Sequence, residues 1–253
     1  MTFLTVDLGN SRCKLRRWTL RPDRAPELLG AGDFASAPGL GSLISAWAGN
    51  GGSDEAAAVC SVAGRSLEDE LALALGSVVS GSIDLRPDPG LAIACREPSS
   101  VGRDRLLGAR AALELAAGNA IVVAVGTAMT VDAVRADRTF LGGAIAPGPA
   151  LLAQALARGT ARLPLVETRA GAPALGVDTQ GAVRAGIAVG LRGAARELAS
   201  RVGEEAGMPG ATIVLTGGAR EFLLDPLVFE ERRVLVEPDL VHLGLLAARA
   251  SSP

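Results

Sequence analysis

Apolar residues at the start of the chain form two short runs separated by a polar turn. Residues 3–6 are apolar or β-branched and lead into Asp7, and Gly9 is followed by two short polar residues before a second run begins at Cys13. This order predicts a strand, a tight turn and a second strand. The same pattern recurs where residues 120–125 and 129–134 flank Gly126-Thr127-Ala128, which predicts a second hairpin.

The two predicted hairpins can be aligned with each other, so that Gly9 falls on Gly126 and small or polar residues follow both glycines. This self-similarity indicates two related halves, each of which opens with a hairpin. Coincidence remains the alternative, because glycine turns between strands are common.

Between and after the hairpins the pattern alternates between strand and helix. Periodic apolar residues predict helices over residues 40–48, 67–75, 106–117, 150–157, 179–200 and 241–249. Short apolar runs predict strands over residues 56–62, 77–85, 91–95, 211–215 and 234–236. Residues 21–39 are predicted to be loop with one short strand, residues 141–149 a glycine and proline turn region, and Arg220 the start of a helix.

Composition narrows the class of protein. With 253 residues, the chain can form one large domain or two ordinary ones, and its net charge of −2 gives no reason to expect a nucleic-acid partner or a membrane. The three cysteines are far apart and show no metal-ligand spacing, the N-terminus does not resemble a signal peptide, and no apolar run approaches the roughly 20 residues that span a bilayer. We therefore expect a cytoplasmic protein. The only histidine, His242, lies in a predicted helix and is expected to be structural.

The first turn has the chemistry of a phosphate site. Gly9 allows close approach of the backbone to a ligand, while Asn10, Ser11 and the turn N–H groups can donate hydrogen bonds to phosphate oxygens. Lys14, the only lysine, can add a positive charge, and Asp7 can hold Mg²⁺. No Gly-Lys-Ser/Thr sequence occurs, which excludes a Walker-type loop. The alternative is an ordinary hairpin with a polar tip.

Two further segments are candidates for chemistry. Gly102-Arg103-Asp104-Arg105 lies at the predicted start of a helix, where an acid between arginines is either functional or a structural charge cluster. Thr216-Gly217-Gly218 follows a predicted strand, and its glycines can let a ring or phosphate lie against the backbone or simply form a tight turn.

Taken in order, these motifs resemble the type III pantothenate kinases, a family that includes Bvg accessory factors. The resemblance runs from Val6 to Leu245 and rests on seven segments: Asp-Leu-Gly-Asn-Ser…Lys, Gly-Arg-Asp-Arg, Gly-Thr-Ala-Met-Thr-Val-Asp, Gly-Gly-Ala-Ile-Ala-Pro-Gly, Ala-Leu-Gly-Val-Asp-Thr, Thr-Gly-Gly and Pro-Asp-Leu-Val-His-Leu-Gly-Leu. It implies an actin-like, ribonuclease-H-like α/β fold of two duplicated domains, here residues 1–116 and 117–253, which hold ATP between two phosphate hairpins. It also implies a homodimer.

The resemblance further implies a reaction and a set of site residues. The reaction is ATP-dependent phosphorylation of pantothenate to 4′-phosphopantothenate, the first step of coenzyme A synthesis, with Mg²⁺ and a monovalent cation, K⁺ or NH₄⁺. Asp104 matches the proton acceptor. The ATP-binding positions are Asp7, Leu8, Gly9, Asn10, Ser11, Arg12, Cys13, Lys14, Thr127, Gly217 and Gly218. The pantothenate-binding positions are Cys95, Gly102, Arg103, Asp104, Arg105 and Thr179, and Arg105 can pair with the substrate carboxylate.

Three positions depart from the family pattern. Ala124 stands where the family has the aspartate that helps to bind the monovalent cation, Cys95 stands where a tyrosine is usual, and Gly108 stands where asparagine is common. Asp132, across the turn, can replace the missing acid in part or lie at a solvent-facing strand end. These departures keep open a second function, that of a catalytically weak binding or regulatory protein of the same fold. A sugar or acetate kinase is a third interpretation, which the ordered motifs disfavour.

Overall fold

The computed structural model describes residues 1–49, 54–224, 228, 229 and 232–250, and these form two compact units. The first unit comprises Met1–Leu91, Ser99–Ala111 and the C-terminal residues from Val241. The second comprises Ala92–Pro98 and Ala112–Leu240.

A five-stranded sheet forms the centre of the first unit. Its strands are β1 (Thr2–Leu8), β2 (Arg12–Arg21), β3 (Arg24–Ala35), β4 (Asp54–Ser61) and β5 (Val79–Asp84), in the spatial order β3-β2-β1-β4-β5. Strands β1, β2 and β3 are antiparallel neighbours, whereas β4 runs parallel to both β1 and β5. The helices of this unit include α1 (Leu40–Gly49) and α2 (Arg65–Val78).

Alternation along β1 separates the two faces of this sheet. Leu4, Val6 and Leu8 belong to a buried cluster with residues of α1 and α2. Phe3 belongs to a different cluster, with Leu107 of α3 (Arg103–Ala116) and Leu245 of α6 (Leu240–Ala250). Because successive side chains of a strand point to opposite faces, Asp7 lies on the same face as Phe3, the one that α3 and α6 cover.

A six-stranded sheet forms the centre of the second unit. Its strands are β6 (Ala92–Ile93), β7 (Ala120–Val125), β8 (Ala128–Arg135), β9 (Thr139–Pro147), β10 (Thr212–Thr216) and β11 (Val234–Val236). Their spatial order is β11-β10-β7-β8-β9-β6. The helices α4 (Pro149–Gly159) and α5 (Thr179–Glu205) follow β9, and α5 packs on β7 and β8 through residues such as Ala188 and Leu191. Two short 3₁₀ helices cover Pro98–Ser100 and Arg220–Leu223.

The two sheets repeat one topology. The order β3-β2-β1-β4-β5 in the first matches β9-β8-β7-β10-β11 in the second, with β6 added at the edge. A hydrogen bond recurs as well: Val62 N donates to Leu8 O at 3.0 Å, and Ala219 N donates to Val125 O at 2.9 Å. This repetition confirms the duplicated actin-like α/β fold predicted from the sequence. The domain boundary between residues 116 and 117 stays a prediction.

Three local predictions were wrong. Residues 21–39 were predicted to be mainly loop, but Arg24–Ala35 is a long edge strand. Because it is mostly exposed and pairs with β2 through two register shifts, it lacks an apolar alternation. Residues 141–149 were predicted to be a turn region, but Thr139–Pro147 is a strand, and Gly143 accommodates the close approach of β8. A Cβ at position 143 would lie 1.9 Å from Val131 O. The helix predicted from Arg220 is only a short 3₁₀ turn.

Among the described residues, no helix is both long enough and apolar enough to cross a membrane.

Candidate active site

The first hairpin closes tightly after β1. Gly9 N donates to Arg12 O at 2.9 Å, and a Cβ at Gly9 would lie 3.2 Å from that same oxygen, so a larger residue would crowd the turn. Ser36, just beyond β3, braces the turn because its Oγ donates to Gly9 O at 2.7 Å and its N–H donates to Ser11 O at 3.1 Å. Asn10, Ser11 and Arg12 are exposed. The predicted phosphate segment is therefore a turn that hydrogen bonds hold in place, with exposed residues at its tip.

At the base of this hairpin the predicted ligands alternate between the two sheet faces. Asp7 pairs with Lys14 across β1 and β2, and both are half-buried on the face that α3 and α6 cover. Leu8 and Cys13 form the next pair, are fully buried and belong to the opposite core cluster. Burial, with a smaller contribution from Asp7, raises the pKa of Cys13 to about 12. Leu8 and Cys13 therefore contribute backbone and packing here, whereas Asp7 and Lys14 contribute charge.

Asp104 lies in the first turn of α3. Its Oδ1 accepts a hydrogen bond from Arg105 N at 2.9 Å, and a Cβ at Gly102 would lie 2.6 Å from that oxygen. A side chain at position 102 would therefore require the Asp104 carboxylate to shift. Burial raises the pKa of Asp104 above its ordinary value of 3.8, against the opposing effects of the Arg105 N–H and the Arg105 charge. A carboxylate with a raised pKa is a better proton acceptor than an exposed one.

Cys60 links the first hairpin to the start of α3. This thiol, opposite Asp7 on β4, has a pKa well above 9.0, mainly because it is buried and secondarily because of the charges of Asp7 and Asp104. Arg103 acts in the opposite direction. The structure thus brings two residues from separate predicted motifs, Asp7 and Asp104, to the surroundings of one buried thiol. No motif or periodicity in the sequence predicts this position for Cys60.

The second hairpin has a comparable but differently closed turn. Gly126 N donates to Ala128 O at 2.8 Å, and Gly148 N, at the start of α4, donates to Thr127 O at 3.0 Å. A Cβ at Gly148 would lie 2.1 Å from Gly126 O. The backbone at Gly148, just after β9, therefore packs closely against the turn of the second hairpin. Thr127 is exposed at its tip.

Gly217 brings the predicted Thr216-Gly217-Gly218 turn to the end of β7. Its φ of +97° lies in the left-handed region, and a Cβ there would lie 2.1 Å from Val125 O. The turn after β10 therefore lies directly beside the second hairpin, and the neighbouring Gly218 is exposed. Gly217, Gly218 and Thr127 are thus neighbours within the second unit.

Ala124 lies in a row of small polar side chains. It pairs with Thr130 of β8 and with Thr216 of β10, so two hydroxyl groups flank its methyl group on one sheet face. Of the two alternatives for Asp132, the solvent-facing strand end is wrong, because this residue is 1% exposed in the middle of β8. A Cβ at Gly143 would lie 2.7 Å from its Oδ1. The side chain at position 124 supplies no oxygen ligand for the monovalent cation that the resemblance implies.

Two predicted substrate residues belong to the second unit. Thr179 is the exposed first residue of α5, whose N-cap Asp178 accepts a hydrogen bond from Gly181 N at 2.6 Å. A cavity of about 430 Å³ opens beside this helix start, with Arg184 and Val177 among its lining residues. Cys95 follows β6 and lies against β9: its Sγ is 3.4 Å from the position of a Cβ at Gly142.

His242 belongs to a buried polar network. It is 1% exposed, and its Nδ1 lies 2.8 Å from Thr5 Oγ1, which also accepts a hydrogen bond from Trp18 Nε1 at 2.8 Å. Burial lowers the pKa of His242 well below 6.5, and the charges of Arg16 and Lys14 add to the effect. The structural role predicted for His242 is confirmed, although Thr5 and Trp18 were not foreseen as its partners.

Magnesium fits the first hairpin better than a site formed by protein ligands alone. Within the described ranges, no group of three or more His, Cys, Asp or Glu side chains could hold a metal ion. Mg²⁺ is commonly held by one or two carboxylates together with substrate phosphates. Asp7 beside the phosphate turn matches that arrangement.

The sheet topology defines a protein of the actin-like, ribonuclease-H-like α/β class. A conserved protein from Campylobacter jejuni, described as belonging to the Baf family of transcriptional activators, has a similar structure, with a TM-score of 0.61 at 18% identity over 98% of this chain and 97% of that one. At this identity the similarity speaks for the fold alone. Within the class, the chain belongs to the type III pantothenate kinase family, whose sequence model matches residues 3–201.

Individual relatives also belong to the type III pantothenate kinases. A type III pantothenate kinase from Halorhodospira halophila is 37% identical over 260 residues, which cover 97% of this chain and 99% of that protein. One from Agathobacter rectalis is 36% identical over 156 residues, 62% of this chain and 59% of that protein. The chain thus spans about three fifths of the length of this second relative and nearly all of the first.

Proposed function

We propose that this protein transfers the γ-phosphoryl group of ATP to pantothenate, giving 4′-phosphopantothenate and ADP in the first step of coenzyme A synthesis. Family membership supports the choice of substrates. The observation that carries the proposal is that Asp7 pairs with Cys60 across β1 and β4, while Cys60 packs against Leu107, one turn after Asp104 in α3. A phosphate-binding turn and a proton acceptor must act on the same reacting groups.

In the proposed reaction the 4′-hydroxyl oxygen of pantothenate attacks the γ-phosphorus, and the bond from that phosphorus to the β,γ-bridging oxygen breaks. The hydroxyl proton passes to Asp104, whose raised pKa suits it to accept a proton. Lys14 and the turn N–H groups bind phosphate oxygens, and Arg105 pairs with the pantothenate carboxylate. Mg²⁺, held by Asp7 and the ATP phosphates, would neutralise phosphate charge.

The other assigned residues take supporting roles in this proposal. Thr127, Gly217 and Gly218 contact ATP in this proposal, while Cys95, Gly102 and Thr179 contact pantothenate. The monovalent cation of the family, K⁺ or NH₄⁺, binds only weakly in this proposal because Ala124 provides no carboxylate. We place the activity in the cytoplasm, where ATP is available.

A homodimer is part of the proposal. Leu175 and Val177, which precede α5 and line the same cavity, are 81% and 93% exposed. Large exposed apolar side chains close together are typical of a protein–protein interface. Sedimentation equilibrium tests this: the wild type should have the mass of a dimer, and Val177→Asp should shift it toward the monomer.

A catalytically weak regulatory protein is the second candidate, and Ala124 and Cys95 favour it. Coupled ADP release with purified protein, measured with and without pantothenate and at several K⁺ concentrations, separates the two. Pantothenate-dependent ADP release that Asp104→Asn abolishes supports the kinase. ATP binding without pantothenate-dependent turnover in any cation condition supports the regulatory protein instead.

A further inference from the structure

The segment that follows β5 is held to the protein in an unusual way. Residues 85–90 form no helix or strand, yet Pro87 and Pro89 are buried while Asp88 between them is exposed. Proline has no N–H group, so these two residues can be tied by backbone hydrogen bonds only through their carbonyl oxygens. Buried carbonyl oxygens need donors.

Two arginines of α3 supply these donors. Arg103 Nη2 donates to Pro87 O, and Arg110 Nη1 donates to Pro89 O at 3.4 Å. Gly90, with a φ of +65°, leaves room for the second guanidinium, since a Cβ there would lie 3.1 Å from Arg110 Nη1. Residues seven apart lie on the same side of a helix, so the two arginines attach the proline segment along one face of α3.

The two attachments support different parts of the helix. One turn after Arg103, Leu107 is packed tightly by α6, because a Cβ at Gly244 would lie 2.1 Å from Leu107 O. Arg110 adds a second restraint beyond it. The first turn of α3 precedes both Leu107 and Arg110 in the chain. Arg103 joins this turn to the proline segment through its hydrogen bond to Pro87 O. Asp104 is the next residue, and its carboxylate orientation depends on the N–H of Arg105 in that turn.

We propose that Arg103 is a positioning residue for Asp104: by holding Pro87 O it fixes the first turn of α3 and with it the direction of the Asp104 carboxylate. This inference rests on the proposed function, in which Asp104 accepts the substrate proton. It gives Arg103 a role distinct from the direct pantothenate contact that the family resemblance implies.

The test compares Arg103→Met and Arg103→Lys with Arg65→Met. Arg65 is an exposed first residue of another helix, α2, and serves as the matched control. Because a misplacement of about 1 Å can cost up to ~10²-fold in rate, kcat in Arg103→Met should fall at least about tenfold while KM for ATP and pantothenate stays unchanged. Arg103→Lys, which keeps the charge and one donor, should recover part of kcat. Arg65→Met should match the wild type.

A second readout needs no substrate. Hydrogen exchange at the Arg105 amide, which bonds Asp104, should accelerate in Arg103→Met and less in Arg103→Lys. Unchanged kcat and exchange with a lowered melting temperature would overturn the proposal, as would a raised KM for pantothenate at unchanged kcat. If the wild type shows no pantothenate-dependent turnover, the proposed function fails. The exchange experiment then still tests the attachment of the first turn: faster Arg105 exchange in Arg103→Met supports this attachment, and unchanged exchange overturns it.

Discussion

Asp132 and Ala124 are diagonal neighbours on one face of the second sheet, because Ala124 pairs with Thr130 and Asp132 pairs with Val122. Residues in such a diagonal lie roughly 7–8 Å apart, and their Cβ atoms lie somewhat closer. A buried carboxylate is therefore near position 124, but it is two residue pairs further from the turn than an aspartate at 124 would be. Compared with a chain that has aspartate at position 124, a cation near the turn would therefore lack its closest charged ligand.

We expect turnover to depend only weakly on K⁺ or NH₄⁺, because hard cations favour charged oxygen ligands and Ala124 provides none. Ala124→Asp should strengthen the dependence, and Asp132→Asn should weaken whatever dependence the wild type has. Turnover and calorimetric ATP affinity, both measured against K⁺ at constant ionic strength, check this. A wild type that is inactive without K⁺ and saturates normally with it would contradict the prediction.

Replacing Asp104 by asparagine should remove the proton acceptor and keep the fold. The amide oxygen of asparagine can still accept the Arg105 N–H, so the helix start is preserved. Turnover should fall by ~10²–10⁴-fold, the usual range for loss of a general base. Glu68→Gln, an exposed acid in the first turn of α2, is the control and should leave turnover unchanged.

The pH dependence gives an independent check on Asp104. Its pKa is raised above 3.8, so wild-type turnover should be full above that raised pKa and fall as the carboxyl is protonated below it. The acid limb of the profile should therefore lie above the range of an ordinary aspartate and vanish in Asp104→Asn. Near wild-type turnover in this variant would reject Asp104 as the base.

Asp7 should matter for nucleotide binding, and a nearby acid should not. Lys14 pairs with Asp7 on β1 and with Asp33 on β3, so the lysine has a potential acidic neighbour on either side. Asp7→Ala should weaken binding of Mg-ATP, because the hairpin loses its carboxylate ligand for the metal. Asp33→Asn should leave it unchanged. Calorimetry measures both, with circular dichroism to confirm folding, and equal affinities in all three proteins would leave the hairpin a purely structural turn.

The hairpin turn itself offers a steric test. A Cβ at Gly9 would already lie 3.2 Å from Arg12 O, so the branched side chain of Gly9→Val should crowd the turn and block close approach of phosphate. ATP affinity should fall while the far-ultraviolet spectrum stays native. Undiminished affinity would show that phosphate does not approach this backbone.

His242 should make the protein less stable in mild acid. Its pKa in the folded protein lies well below 6.5, so the unfolded chain takes up a proton that the native state refuses as pH falls below about 6.5. The stabilisation is complete above that pH and is lost at about 1.4 kcal/mol per pH unit below it, until the folded pKa is reached.

His242→Leu, in a chain with no other histidine, should remove this component of the pH dependence. Thr5 keeps Trp18 Nε1 as a donor and Arg16 O as an acceptor at 3.3 Å, so its hydroxyl stays paired in the variant. Urea unfolding at pH 7.5, 6.0 and 5.0 checks the difference. Identical pH slopes for the two proteins would mean that His242 is protonated in the native state.

Hairpins and buried helices were predictable because the signals are local. The strand before Asp7 and the helix around Leu40 and Ile44 follow from apolar spacing that the structure confirms. Strand β9 was not predicted because its glycines were interpreted as turn residues. In the structure they allow the backbone of β8 to approach closely, which depends on the pairing of the two strands and not on the local sequence of β9. The ordered motifs identified the family, whereas the convergence of Asp7 and Asp104 on Cys60 depends on the packing of α3 against the sheet.

The repeated hydrogen bond to Leu8 O and Val125 O makes the preceding residues, Asp7 and Ala124, equivalent positions in the two halves. The internal symmetry is therefore kept in the backbone and broken in charge, since one half presents a carboxylate beside its turn and the other a methyl group. Exchanging these two side chains would leave the net charge of −2 and the strand order unchanged. It would nevertheless move the only acid of this pair to the opposite half, so chemistry distinguishes two positions that the fold treats alike.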